Sequence, residues 1–367
     1  MKYIDGFRDR ETALFLRNRM TGAAERLAAD GRTARVMEVC GSHTMAIARY
    51  GVRDLLPPAV DLISGPGCPV CVTDTGYIDA AIELARRGVV VATFGDLMRV
   101  PGSRETLARV RAEGAHVPVC YSPAAALEIA KREPENEVVF LAIGFETTVA
   151  PVISIVDAAR RDGVRNISLL TAFKLVPPAL RALLDDPAIR VDAFLCPAHV
   201  SAIIGADAYR PFVEDDRVPC VVAGFEPLDI LLGIAEIVEQ FAAGEARLVN
   251  QYSRVVKPEG NRKALNLMKR LLEPVDAAWR GIGVIPGSGL GLRAEVAEFD
   301  AAKRFGLVID AGKTNPACKC GDVLKGVIRP RECPLFGGVC HPDNPIGPCM
   351  VSSEGSCAAA FKYSRCA

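Results

Sequence analysis

Thirteen cysteines are spread over 367 residues, and ten of them fall into two groups. Cys40, Cys68 and Cys71 form the first; Cys318, Cys320, Cys333, Cys340, Cys349, Cys357 and Cys366 form the second. The pair Cys68-x-x-Cys71 is the sharpest local signal. Two thiols at this spacing, just before a helix, can close a small disulfide ring. A helix N-terminus there favours the thiolate, so the spacing predicts a reactive dithiol of lowered pKa. Gly65 and Gly67 permit a tight backbone and Pro69 restricts it. Half of a structural zinc site competes with this reading about evenly for an isolated CxxC. No second CxxC completes a zinc ribbon, which favours redox or transition-metal use. Cys40 is followed three residues later by His43. Soft thiolates select iron, copper or zinc over magnesium or calcium. A lone strand cysteine is more often core packing, but Cys40 stands at a strand's end inside Cys-Gly-Ser-His.

The second group lies in a Gly- and Pro-rich tail with little periodicity, so something other than an apolar core must order it. Four thiolates suit a [4Fe–4S] cluster or a structural zinc, and spacing does not separate the two. Cys318, Cys320, Cys333 and Cys340 are the first compact set and are expected as ligands. Cys349 and Cys357 are alternates or a second thiol pair.

Several elements must position these groups. Apolar, β-branched runs at 35–39, 60–64, 89–94 and 117–122 read as strands, and a second set lies at 138–145, 167–173, 191–197 and 218–225. Near-continuous hydrophobicity with helical stretches between predicts parallel strands buried on both faces. Thr75–Gly88 and Pro227–Glu245 read as two of the helices. The expected fold is α/β: two similar, doubly wound, Rossmann-like domains plus a Cys-rich iron–sulfur domain formed by the C-terminal region with the N-terminal helix. The boundaries are drawn at 1–32 (a helical segment packing on the third domain), 33–132 (with Cys40 and the CxxC), 133–247, and 248–367. Residues 251–310 read as mixed helix and loop, and Pro286-Gly-Ser-Gly-Leu-Gly291 as a turn. Ligands bind outside the carboxyl ends of parallel strands. Those ends here carry the thiols, His43, His199, Glu146 and Glu226, which would line a cleft if the two halves face each other.

Composition narrows the function. Forty-four basic and 44 acidic residues cancel, which argues against a nucleic-acid or membrane-surface binder. No apolar run approaches the roughly 18 residues of a membrane span, and the charged N-terminus has no signal-peptide core. An odd cysteine count without a signal argues for reduced cytosolic thiols rather than a disulfide framework.

Seven motifs occur in order: Cys40-Gly-Ser-His43, Gly65-Pro-Gly-Cys-Pro-Val-Cys71, Thr93-Phe-Gly-Asp96, Gly144-Phe-Glu-Thr-Thr148, His199-Val-Ser201, Gly224-Phe-Glu-Pro227 and Gly347-Pro-Cys-Met-Val-Ser-Ser-Glu-Gly355. Together they resemble the HypD family of [NiFe]-hydrogenase maturation factors over nearly the whole chain. The resemblance implies a cytoplasmic iron–sulfur protein, a monomer on its own, on which the Fe(CN)2CO group is assembled. It would be a redox-active assembly scaffold rather than a conventional turnover enzyme. A small HypC-type chaperone and a HypE-type cyanide donor would be its partners. Cys40 would be the thiolate for the substrate iron, with His43 beside it. Cys68 and Cys71 would be a dithiol/disulfide pair that helps hold that iron, and Cys318, Cys320, Cys333 and Cys340 would hold the cluster. A stand-alone iron–sulfur thiol–disulfide oxidoreductase is the alternative, and a zinc-stabilised binding protein a third reading.

Overall fold

The computed structural model describes residues 5–363; Cys366 lies outside them. Among the described residues there are ten strands: β1 (Ala34–Glu38), β2 (Val60–Ser64), β3 (Val90–Ala92), β4 (Val138–Gly144), β5 (Ile167–Lys174), β6 (Ala193–Pro197), β7 (Cys220–Ala223), β8 (Leu248–Asn250), β9 (Leu272–Trp279) and β10 (Gly283–Leu292). They form two five-stranded sheets, ordered β2-β1-β6-β7-β8 and β3-β4-β5-β10-β9. The first is wholly parallel, and in the second β3, β4 and β5 are parallel. Every residue of β4 is buried, as its unbroken apolar run predicts for a strand covered on both faces.

The expected α/β class with parallel sheets holds, but the sheets do not follow the expected boundary at 132/133. The chain builds β1 and β2, leaves for β3, β4 and β5, and returns for β6, β7 and β8. Val36 of β1 therefore pairs with Leu62 on one side and with Ala193, far along the chain, on the other. Eight similar apolar runs specify burial, not partners, so sequence order is a poor guide to which sheet each joins.

Other elements differ for local reasons. The run at 117–122 makes only a single bridge, Thr93 to Val119, rather than a strand; Pro118 has no N–H to extend a ladder. Residues 251–310 hold a β-hairpin, β9–β10, antiparallel to β5 through Gly289–Lys174 and Leu290–Phe173. The Pro286–Gly291 segment is strand with an irregularity between Ile285 and Gly289, and Gly287 takes φ +61 there. Such a bulge needs the residues that otherwise signal a turn. Trp279 Nε1 donates to buried Ser288 Oγ at 2.8 Å and locks the hairpin.

The N-terminal helix spans Arg10–Ala29, capped by Asp9 on the Thr12 amide. It does not pack on the cysteine-rich region. Leu16, Met20, Ala23, Ala24 and Leu27 share a core with Ile230, Ile234 and Ile237 of the helix Pro227–Ala243, which covers the first sheet. An apolar helical stripe finds its match in the apolar stripe of another helix. Leu14 is exposed, and Leu16 takes the buried place on this face. Arg19 is paired with Glu239 at 2.6 Å along the same seam.

Beyond Gly306 the chain is loop with short helices at Cys320–Leu324, Pro348–Val351 and Ser356–Tyr363. The last of these packs on the helix Gly41–Arg49, and Pro348–Val351 packs on Pro69–Val72. The tail thus lies across the strand ends that carry Cys40 and the CxxC. No helix of the described residues is long and apolar enough to cross a membrane.

Candidate functional site

Cys40 caps the helix Gly41–Arg49 at the end of β1 and is 8% exposed. Glycines bring the CxxC loop against it. The Gly41 amide donates to the Gly67 carbonyl at 2.9 Å, and a Cβ on Gly67 would lie 2.2 Å from the Cys40 nitrogen. Buried Glu38 accepts from the Cys40 amide at 3.2 Å through Oε2 and from Thr44 Oγ1 at 2.6 Å through Oε1. Burial raises the Glu38 carboxyl to about 7. His43 is fully buried. Its Nε2 lies 2.8 Å from the Gly224 carbonyl and 3.2 Å from that of Ala223, so that nitrogen carries the proton and Nδ1 is a buried acceptor without a partner among the described residues. Burial lowers the His43 pKa to about 4, which keeps the ring neutral. Phe225 stacks between His43 (centroids 4.7 Å) and His199 (4.0 Å).

The CxxC is buried as well. Cys68 Sγ accepts from the Cys71 amide at 3.2 Å at the start of the short helix Pro69–Val72. The expected lowering of thiol pKa is not found for the groups whose direction is resolved. Burial pushes Cys71 up, and Cys40 up to about 12 with Glu354 and Glu38 adding to it. Removal from water outweighs the amides that favour the thiolate. Reduced Cys40 and Cys71 are therefore held as neutral thiols, and a bound metal would favour their deprotonation.

From Cys71 a run of sulfurs leads into the tail. Cys71 Sγ donates to the Pro348 carbonyl at 3.9 Å and contacts the Cys349 thiol. Cys349 and Cys320 are 2.8 Å apart at Sγ, and Cys318 contacts Cys320. Cys318, Cys320, Cys333, Cys340, Cys349 and Cys357 all line one cavity with Val323, Leu335, Phe336 and Met350. Among the described residues no three His, Cys, Asp or Glu side chains are drawn together as a site for one metal ion. A cube cluster places each thiolate on a different iron, spread wider than around a single zinc, and the six soft donors around an apolar-walled cavity fit that group.

The expected cleft residues divide. His43 and His199 meet at Phe225. Glu226 is ion-paired with Arg8 at 2.8 Å. Glu146 is buried, accepts from the Val176 amide at 2.9 Å, and is raised by burial to about 7. Cys120, Cys196 and Cys220 are buried core residues. Two carboxylates beside Cys40 escaped the sequence reading. Glu38 had a visible signal, a charge inside an apolar strand. Glu354 had only its place in a motif, yet it accepts from Ser42 Oγ at 2.7 Å and bears on both Cys40 and His199. Ser352 Oγ, 3.4 Å from Asp96 Oδ2, ties the same turn to the second sheet's edge.

The fold and site define a class: an α/β protein in which a buried CxxC runs through contacting thiols into a six-cysteine cavity, suited to dithiol chemistry and soft-metal binding. Comparison with known proteins makes the assignment particular. The family model HypD, described as the hydrogenase formation hypA family, matches residues 16–364. The hydrogenase maturation factor HypD of Azotobacter vinelandii is 49% identical over 100% of this chain and 97% of its own. That of Cupriavidus necator is 46% identical over 100% and 98%. A putative hydrogenase expression/formation protein of Methanocaldococcus jannaschii is 43% identical over 90% and 92%. The chain belongs to the HypD family of hydrogenase maturation factors.

Proposed function

We propose that the protein is a cytoplasmic scaffold on which the Fe(CN)2CO group of a [NiFe] hydrogenase is assembled, with dithiol chemistry feeding the site. The observation that carries this reading is the 2.8 Å approach of Cys320 to Cys349, with Cys349 in contact with Cys71. It supports a change of one member in the ligand set expected from spacing: Cys320 pairs with Cys349, and Cys357 joins Cys318, Cys333 and Cys340 as the fourth cluster ligand. When bound there, a [4Fe–4S] cluster supplies single electrons.

The chain's own thiols do the rest. With Cys68–Cys71 oxidised, the Cys349 sulfur attacks the Cys71 sulfur as its thiol gives up its proton. The Cys68–Cys71 bond breaks and Cys68 leaves as a thiolate that takes up a proton. Cys320 then attacks Cys349, closing a Cys320–Cys349 disulfide and freeing Cys71. Two thiols become a disulfide and one disulfide becomes two thiols, so the electrons balance. The substrate iron is then held by Cys40 with Cys68 and Cys71, shared with a cysteine of a HypC-type chaperone, while a HypE-type donor brings cyanide. His43, neutral and hydrogen-bonded to β7 and the residue after it, offers Nδ1 as an acceptor on the first turn of the Cys40 helix.

Infrared spectroscopy of the anaerobically copurified chaperone complex tests the reading. Cyanide and carbonyl bands are expected, and they should vanish in Cys40→Ala while visible cluster absorbance persists. Protein without inorganic sulfide would overturn it. The thiol run also suits a stand-alone thiol–disulfide oxidoreductase, which would lose no activity in Cys40→Ala.

A further inference from the structure

Electrons spent on the CxxC must be replaced, and the tail offers one side for their entry. Five of the six cavity cysteines are buried, while Cys318 is partly exposed. A groove of about 610 Å³ opens on that side, and Cys318, Cys320 and Gly347 line both the groove and the cysteine cavity. The cover is thin because it is glycine: a Cβ on Gly347 would lie 2.8 Å from Cys318 Sγ, and Gly281 and Gly321 touch backbone to backbone. The larger groove beside the helix Gly41–Arg49 reaches none of the six.

The groove is positively charged. Lys313, Lys319 and Arg280 stand on its walls against the single carboxylate of Asp322. Both lysines are exposed. Arg280 is spent on the neutral carbonyls of Thr73 (2.9 Å) and Pro101 (3.5 Å). None of the three cations is ion-paired with a carboxylate among the described residues. This excess stands out on a chain whose total charge is zero. A positive rim around a thinly covered redox centre selects a partner of opposite sign and speeds its encounter.

We propose that this groove is the docking site of a small acidic one-electron carrier protein, the immediate reductant of the tail. The proposal rests on the cluster reading above and names its electron source. Each docked carrier is oxidised by one electron and leaves. Two such electrons, with two protons from water, break the Cys320–Cys349 bond and leave two thiols.

The test uses the full-length protein, purified anaerobically, with an acidic [2Fe–2S] ferredoxin as the probe. Its reduced form is mixed with the protein by stopped flow, and the return of the ferredoxin's visible band on oxidation is followed. The wild-type rate should fall as salt is raised. Lys313→Glu/Lys319→Glu should lower it roughly tenfold or more at low salt, with reduction by dithionite unchanged. A carrier rate indifferent to salt and to the double charge reversal, in protein that retains iron and sulfide, overturns the docking site alone. Protein devoid of iron and sulfide overturns the cluster reading, and the docking site with it.

Discussion

Cysteine serves two regions of this molecule in opposite surroundings. Around Cys40 one thiol is dressed by polar groups: Glu38 on its amide, Glu354 through Ser42, and the His43–Phe225–His199 stack. In the tail, six thiols crowd a cavity whose other walls are Val323, Leu335, Phe336 and Met350, and sulfur meets sulfur. A single thiol with ordered polar neighbours can hold a cargo whose charge changes as ligands arrive. Thiols packed against each other in apolar surroundings exchange bonds and electrons. Pro348 links the two, since its carbonyl meets Cys71 while its neighbour Cys349 meets Cys320.

The strongest way to break the comparison lies within the tail. Cys357→Ser should abolish the visible iron–sulfur absorbance, whereas Cys349→Ser should retain it yet lose all exchange with the CxxC, read by mass spectrometry of alkylated thiols. Absorbance retained in Cys357→Ser and abolished in Cys320→Ser would restore the ligand set drawn from spacing. A smaller effect is expected beside Cys40. Glu354→Ala removes the acceptor of Ser42 and should weaken retention of non-cluster iron by about 10- to 100-fold, with sulfide content unchanged. Loss of both would erase the distinction between the regions.

Glu146, in neither region, sharpens the contrast through stability. Its carboxyl is raised by burial from 4.5 to about 7. The native state therefore binds the proton more tightly than the unfolded chain. This contribution is complete below about pH 4.5 and lost as the pH rises through about 7, worth about 3 kcal/mol at most. Glu146→Gln keeps the acceptor for the Val176 amide. It should flatten the fall of denaturation midpoint between pH 5 and 8, without changing iron or sulfide. Least of all should follow from Arg19→Ala on the seam between Arg10–Ala29 and Pro227–Ala243. Its pair with Glu239 is about a third exposed, so the loss should stay under about 1 kcal/mol by urea titration.

Much of the frame was legible because strand and helix periodicity is local. Seven of the eight expected strands exist, and the helix Arg10–Ala29 lies within the helical segment expected at 1–32. The eighth lacked a ladder for want of an N–H at Pro118. The hairpin β9–β10 was hidden by the glycines its bulge requires. Reading a lowered pKa into the CxxC weighed the helix end and could not weigh burial, which depends on the tail folding back over it.

From the amino-acid order alone came the two groups of thiols, the strand ends that carry the first of them, and seven motifs that resemble one family, since residue type and spacing are written along the chain. Tertiary structure alone decided the interleaving of the two sheets, the docking of the N-terminal helix, the approach of Cys320 to Cys349 and the arrival of Glu354 beside Cys40. Those depend on which surfaces exclude water together, and residues hundreds of positions apart carry no local sign of meeting.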